Sequence, residues 1–200
     1  MPVEIKIDAK ELKRAAVALR QRAAGKLPQA LEDLMRREMQ LADRELVLNL
    51  TGRVLNRRTG SLARSVRHEV RRTGDRVIGT VGILQPGPAQ RYAGIHITGG
   101  VIRPRTARML AIPLPAAQTA AGVSRFSSPR QVEGLFAIRS KAGNLLLVKR
   151  SGQGITPFFV LKSQVTIPKR DYFTPVRNTA VRRVTEGARD LLAGIVSLKE

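Results

Sequence analysis

Arginine is the residue type that offers this chain most of its chemistry. Eight arginines and only two carboxylates fall between residues 53 and 76. A guanidinium is planar and permanently charged, so it can contact phosphate or carboxylate through two donors at once. Arg67 and Arg71 fall on one face of a predicted strand, and such a face can follow a phosphate backbone without reading bases. The contacts predicted with DNA or with an acidic partner are Arg57, Arg58, Arg64, Arg67, Arg71 and Arg72.

Few residues in this sequence could support other kinds of chemistry. The chain has no cysteine, which excludes disulfides, thiolate metal sites and cysteine nucleophiles. The two histidines, His68 and His96, fall in separate predicted elements and are interpreted as strand or surface residues. Neither a nucleophile elbow nor a phosphate loop is present, although a Ser–His–Asp arrangement stays open because its members can lie far apart in sequence. We predict that the protein is not an enzyme and has no catalytic residue, metal or cofactor.

The net charge of +21 is concentrated after residue 50. Residues 1–50 carry ten basic and eight acidic groups, whereas residues 51–200 carry 26 basic and seven acidic groups. A strong positive field indicates a polyanionic partner, which is nucleic acid, an acidic protein surface or an anionic membrane. A plainer interpretation stays open, in which the arginines are solvated or are neutralised by neighbouring subunits. Because the first aromatic residue is Tyr92, bases have no stacking partner near the arginines, and any DNA contact is predicted to be non-specific.

Periodicity predicts helices in the N-terminal part of the chain. Val3–Ile7 alternates as a short strand, and Asp8 is a capping residue for a helix over residues 9–24. A second amphipathic helix is predicted from Pro28 to about Leu50, with proline at its first turn.

After residue 50 the pattern changes to that of strands. Ser61 is predicted to cap a short helical turn, and a hairpin is predicted over residues 65–73 and 76–84. Residues 89–97 are ambiguous between helix and strand. The remaining predictions are a buried strand over 109–114, a hairpin of 135–139 and 145–149, a strand within 158–167 and a helix over 175–196.

These elements predict an α+β fold with N-terminal helices, an antiparallel β-sheet and a C-terminal helix packed on the sheet. The length suits a single domain over residues 1–200. Its predicted parts are a helical part over 1–52, a β-rich part over 53–168 and a C-terminal helix over 169–200. The β-rich part contains a long loop over 115–134, and a structureless stretch of that length is usually functional or disordered.

The N-terminus does not resemble a signal peptide. Glu4, Lys6 and Asp8 stand where an apolar stretch would be needed. The longest apolar runs, such as Leu145–Val148, are far too short to cross a bilayer. We therefore expect a protein that is made in the cytoplasm and has no membrane partner.

Three segments of the chain, in order, resemble the tail-component and tail-completion proteins of tailed bacteriophages. The first is Thr59–Ser65, which matches a Thr-Gly-x-Leu-x-x-Ser segment. The second is Tyr92-Ala93 followed by the turn Gly99-Gly100, and the third is Arg170–Pro175 at the start of the last helix. The run from Ile102 to Leu114 is similar to the virion-morphogenesis members of Mu-like phages and prophages, and the family also has lambdoid members.

The resemblance spans most of residues 10–196 and departs from the simplest members in two places. The chain is longer, with an added stretch near residues 115–165. It also has His96-Ile97-Thr98 where many members place an acidic residue before the glycine. These departures leave open which position in the neck or tail the protein occupies.

The resemblance implies a structural virion protein, a ring-forming subunit at the head–tail junction, or neck, that completes or connects the tail. It implies a hexameric or dodecameric ring, portal or adaptor and tail proteins as partners, and assembly in the host cytoplasm. Contact with packaged DNA stays open. The N-terminal helices and residues 115–134 are expected to reach adjacent subunits. The candidate interface residues are Tyr92, Arg103, Arg105, Arg125, Phe126, Tyr172 and Phe173. The alternative is a basic protein that binds nucleic acid non-specifically.

Overall fold

A computed structural model of the chain describes residues 3–8, 26–74, 76–84 and 87–197. The helices are α1 (Lys26–Leu48), α2 (Ser61–Arg64), α3 (Pro88–Thr98) and α4 (Thr174–Ser197). The strands are β1 (Val3–Asp8), β2 (Val66–Thr73), β3 (Arg76–Ile83), β4 (Gly100–Ile102), β5 (Leu110–Pro113), β6 (Phe136–Arg139), β7 (Leu145–Ser151), β8 (Gly154–Lys162) and β9 (Val165–Ile167). The α+β class is confirmed, with antiparallel sheets and a C-terminal helix. The helix predicted over residues 9–24 lies outside the described residues.

The chain folds as two compact units where the sequence predicts one domain in three parts. The terminal unit combines Met1–Thr98 with Arg170–Glu200, and the inserted unit is Gly99–Lys169. Strands β4 and β9 pair Gly100 with Ile167, so the two ends of the inserted unit lie side by side. Because its strands pair with one another, the inserted unit makes most of its contacts within itself.

The terminal unit is built in layers around α1. Its sheet has the antiparallel order β1-β3-β2, and α1 packs against both β2 and β3. The apolar stripe of α1 is fully buried, with Met35, Met39 and Leu46 all at 0% exposure. The sequence predicts that the C-terminal helix packs on the sheet. In the structure this helix, α4, packs mainly against α1. The buried face of α4 has helical spacing and consists of Val176, Ala180, Val184 and Ala188.

Two predicted elements of the terminal unit differ in detail. Helix α1 stops at Leu48 and continues as a wide π turn over Asn49–Arg53. There Val54 and Leu55 both donate backbone hydrogen bonds to the carbonyl of Asn49, at 3.1 and 3.0 Å. The segment left ambiguous over 89–97 is helical.

The inserted unit holds a four-stranded antiparallel sheet, β5-β8-β7-β6, and the two-stranded ribbon β4-β9. All four strands predicted after residue 100 are present, although the strand predicted as buried at 109–114 is only half-buried and the one predicted within 158–167 is divided between β8 and β9. Among residues 99–169, all of which are described, three side chains are buried: Ala117, Val148 and Phe159. The core of this unit is therefore thin.

Candidate interaction surfaces

The six arginines predicted as polyanion contacts all lie on the surface. Arg57 and Arg58 belong to the loop before α2, Arg64 ends α2, and the other three lie on β2. All six side chains are exposed. The sequence therefore identified a cationic segment that a partner can reach.

The arginines of β2 do not share one face. Arg67 and Arg71 alternate with Val66 and Val70, which are buried or half-buried toward α1, so the two arginines point outward as predicted. By the same alternation Arg72 falls on the α1 side, at the end of the strand.

The two outward arginines, Arg67 and Arg71, already make hydrogen bonds within the chain. Arg71 Nη2 donates to Glu69 Oε2 at 2.7 Å on the same face. Arg67 Nη1 folds back onto two main-chain carbonyls, Arg64 O at 2.9 Å and Val66 O at 2.6 Å. These bonds orient the two guanidiniums, while both side chains stay exposed.

Two further arginines meet at Gly60. This glycine has φ +73° and is the residue that caps α2, whereas the sequence predicts that Ser61 does so; Ser61 is the first helical residue. Arg64 Nη1 donates to the carbonyl of Thr59 at 2.9 Å. A Cβ on Gly60 would lie 2.9 Å from Arg57 Nε and 3.1 Å from Arg64 Nη1. The two cations are therefore wrapped around one small residue.

The predicted subunit-interface residues divide into surface and core. Tyr92 is 38% exposed, and three members are exposed arginines: Arg103, Arg105 and Arg125. Phe126 is half-buried against Phe158, with ring centroids 6.5 Å apart.

The interface prediction for Tyr172 and Phe173 is wrong. Their exposed fractions are 1% and 8%, so both belong to the core of the terminal unit. Tyr172 Oη donates to the carbonyl of Ala93 at 3.1 Å, and Asn49 Nδ2 donates to the carbonyl of Tyr172 at 2.9 Å. These aromatic side chains anchor the start of α4 and are not available to another subunit.

The sequence suggests a structureless loop over residues 115–134, but the structure shows this segment to be ordered. Two 3₁₀ turns, Pro115–Ala117 and Pro129–Gln131, and a β-bridge between Gln118 and Ser124 give the segment internal order. Arg125 N donates to the carbonyl of Ala117 at 2.8 Å, and Ala117 is fully buried. The segment is folded within its own unit, because its backbone groups are satisfied there.

No pattern in the sequence predicts the charged contacts of α1. His68 Nδ1 lies 2.7 Å from Asp43 Oδ2, which ties β2 to α1 and orients the imidazole. Asp33 and Asp190 line an open groove of about 710 Å³ between α1 and α4, together with Leu34 and Leu191.

No cluster of three or more His, Asp or Glu side chains that could hold a metal ion occurs among the described residues. Within the same residues, no helix is long and apolar enough to span a membrane.

Comparisons with known proteins give no relative from which to infer a role. No protein-family model, curated protein or solved structure matches the chain.

Proposed function

We propose that this chain is a structural virion protein of a tailed phage or prophage. It forms rings at the head–tail junction that complete or connect the tail, with portal or adaptor and tail proteins as partners. Assembly takes place in the host cytoplasm, and the mature location is the virion. The proposal rests on the ordered resemblance to tail-completion proteins.

The observation that carries it is a structural role for the resembling segments. Ala93 of the second segment accepts the hydrogen bond of Tyr172 from the third, across 79 residues of sequence. The first segment forms the turn and short helix α2, which packs against α3. Motifs that pack against one another in this way support a scaffold that presents surfaces to neighbours.

A ring subunit must present two different faces to its neighbours, because heterologous contacts close into a ring when the rotation allows it. The exposed arginines of residues 57–72 are suited to one such contact, either with an acidic neighbouring ring or with DNA in the channel. The mass of the purified protein, measured by light scattering across salt concentrations, tests the ring directly. A hexamer or dodecamer, alone or on added tail and portal proteins, is the expected result. A monomer under every condition would contradict it.

A charge-reversal variant tests the arginine segment. We expect Arg67→Glu with Arg71→Glu to block particle completion, because both guanidiniums point outward from β2. The matched control is Arg182→Glu with Arg189→Glu, which makes the same charge change on exposed positions of α4. Normal infectivity of the first variant would remove the segment from the proposed contact.

The second candidate function is non-specific binding of nucleic acid by a free protein. The net charge of +21 favours it. Such a protein would bind DNA as a monomer with a steep salt dependence and would ignore the tail and portal proteins.

A further inference from the structure

The inserted unit has almost no acidic groups. Residues 99–169 contain eleven lysines and arginines and a single carboxylate, Glu133. In the terminal unit, by contrast, Arg36, Arg71 and Arg183 each pair with a glutamate. The carboxylates of the inserted unit are therefore too few to neutralise its cations, and the unit carries a strong positive field.

Strand pairing collects several of these cations at one end of the four-stranded sheet. Arg139 pairs with Leu145, which pairs with Leu161 on the next strand, and the adjacent Lys162 pairs with Leu110. Strands β6 and β8 therefore end where β5 and β7 begin. We call this the basic end, and its cations are Arg103, Arg108, Arg139, Lys141 and Lys162.

The cations of the basic end are held in place by uncharged groups. Lys162 Nζ donates to Asn144 Oδ1 at 2.6 Å, and Arg139 Nη1 donates to the carbonyl of Gly143 at 3.4 Å. Arg103 Nε donates to Gln164 Oε1 at 3.3 Å. Because these acceptors carry no net charge, the side chains are oriented while their positive charge is kept. All five side chains are exposed.

The dimensions and composition of this end fit a phosphate backbone. Three strand spacings place the outer cations about 14 Å apart. Measured along the axis of a duplex, that length corresponds to roughly four phosphates of one strand, at a rise of about 3.4 Å each. No aromatic residue occurs in 101–110, 139–145 or 160–164, so there is no platform for stacking single-stranded bases. An acidic protein would need carboxylates at a matching spacing, whereas a duplex has such charges along its whole length.

We propose that the basic end of the inserted unit binds the phosphate backbone of duplex DNA without reading its sequence. This surface belongs to the inserted unit, whereas the arginine segment of residues 57–72 belongs to the terminal unit, where Glu69 offsets the charge of Arg71. The inference does not require a ring, because the surface belongs to one chain.

The test is the salt dependence of binding between the full-length protein and a 30-base-pair duplex of random sequence, followed by fluorescence anisotropy. A surface that neutralises about four phosphates gives a slope of log affinity against log salt of about −3.6, since each contact contributes about −0.9. The variant Arg108→Gln, Arg139→Gln, Lys162→Gln should flatten the slope by about 2.7. It should also weaken binding by roughly tenfold for each lost contact at low salt.

The control removes the same charge from α4, with Arg177→Gln, Arg182→Gln and Arg189→Gln, all at exposed positions. It should keep the slope of the unchanged protein, and circular dichroism should show that both variants are folded. Equal losses in the two variants would mean that binding follows net charge alone and would overturn the proposal. It would also fail if polyglutamate displaced the duplex at equal charge concentration, or if removing Arg57, Arg67 and Arg72 flattened the slope instead. The light-scattering mass is unaffected by these outcomes, so failure here leaves the ring proposal standing.

Discussion

Arg183 on α4 donates from Nε to Glu38 Oε2 on α1 at 2.7 Å, and Glu38 is only 6% exposed. A second bond runs from Arg183 Nη1 to Glu45 Oε1, also at 2.7 Å. Burial disfavours the charged guanidinium, but the hydrogen bonds and charges of Glu45 and Glu38 outweigh that effect and raise the pKa of Arg183. One cation thus joins the two longest helices of the terminal unit.

Removing this cation leaves the buried carboxylate of Glu38 with only the longer contact from Arg37 Nε, at 3.4 Å. We expect Arg183→Met to lower the free energy of unfolding by about 3 kcal/mol, the cost typical of breaking a buried ion pair. Urea denaturation measures the change. Adding Glu38→Gln to that variant should recover part of the loss, because the buried charge is then gone. If the single and double variants unfolded at the same urea concentration, the loss would not come from the unpaired charge of Glu38.

Gly79 on β3 allows α1 to approach the sheet closely. A Cβ there would lie 2.5 Å from Met35 Sδ and 2.7 Å from Met39 Cγ, and both methionines are fully buried. We expect Gly79→Ala to destabilise the protein by about 1–3 kcal/mol through overpacking. The thermal unfolding midpoint reports the effect.

A second glycine serves as a control, because it separates the effect of overpacking on stability from the effect of replacing a glycine. Gly94 on α3 has open space where a Cβ would be placed. Gly94→Ala should be neutral or stabilise by about 0.5–1 kcal/mol, because alanine is the better helix former. A similar loss in both variants would show that the contact with Met35 and Met39 is not the cause.

Tyr172 provides a spectroscopic prediction. Burial, and then the charge of Asp171, raise the pKa of Tyr172 to about 12 from its usual 10.0. The stabilisation from keeping this phenol neutral is complete below pH 10 and is lost as pH rises toward 12, because the unfolded chain deprotonates first. The difference in ultraviolet absorbance between the wild type and Tyr172→Phe should therefore titrate near pH 12. A titration near pH 10 would show that the phenol is solvated. The variant should also lose about 1 kcal/mol, the value of the bond to Ala93.

The buried imidazole of His96 leads us to expect a loss of stability in mild acid. Its Nδ1 is buried and has no hydrogen-bond partner among the described residues. Burial, and then the charge of Arg170, lower the pKa of His96 below its usual 6.5. The unfolded chain therefore binds a proton more readily, and stability falls as pH drops from 6.5 through the lower folded value. Urea midpoints between pH 7.5 and 5.5 should fall less in His96→Gln than in the wild type. Parallel curves for the two proteins would contradict this assignment.

Elements with a strong local pattern could be predicted from the sequence. The hairpin of β2 and β3 lies within one residue of its predicted bounds, because alternating residues and the turn at Gly74 fix its register locally. Helix α4 likewise follows from the spacing of Val176, Ala180 and Val184. The exposure of the six arginines also followed from residue type, since an unpaired guanidinium is costly to bury.

The misplaced residues are those whose environment depends on distant parts of the chain. The sequence predicts Tyr172 and Phe173 at a subunit interface, whereas both are buried. For Tyr172 the hydrogen-bond partners are Ala93 on α3 and Asn49 in the turn after α1. The order within residues 115–134 depends on bonds such as Arg125 N to Ala117 O, which no local pattern reveals.

The sequence alone determined the fold class, the position of most strands and helices, and the excess of positive charge, because these depend on periodicity and composition. Only the tertiary structure decided that Gly99–Lys169 is a unit of its own and that its cations meet at one end of a sheet. It also decided that Glu38 and Arg183, 145 residues apart, share a hydrogen bond between two helices. Pairing between strands and packing between helices bring distant residues together, and the free energy of those contacts has no counterpart in local spacing.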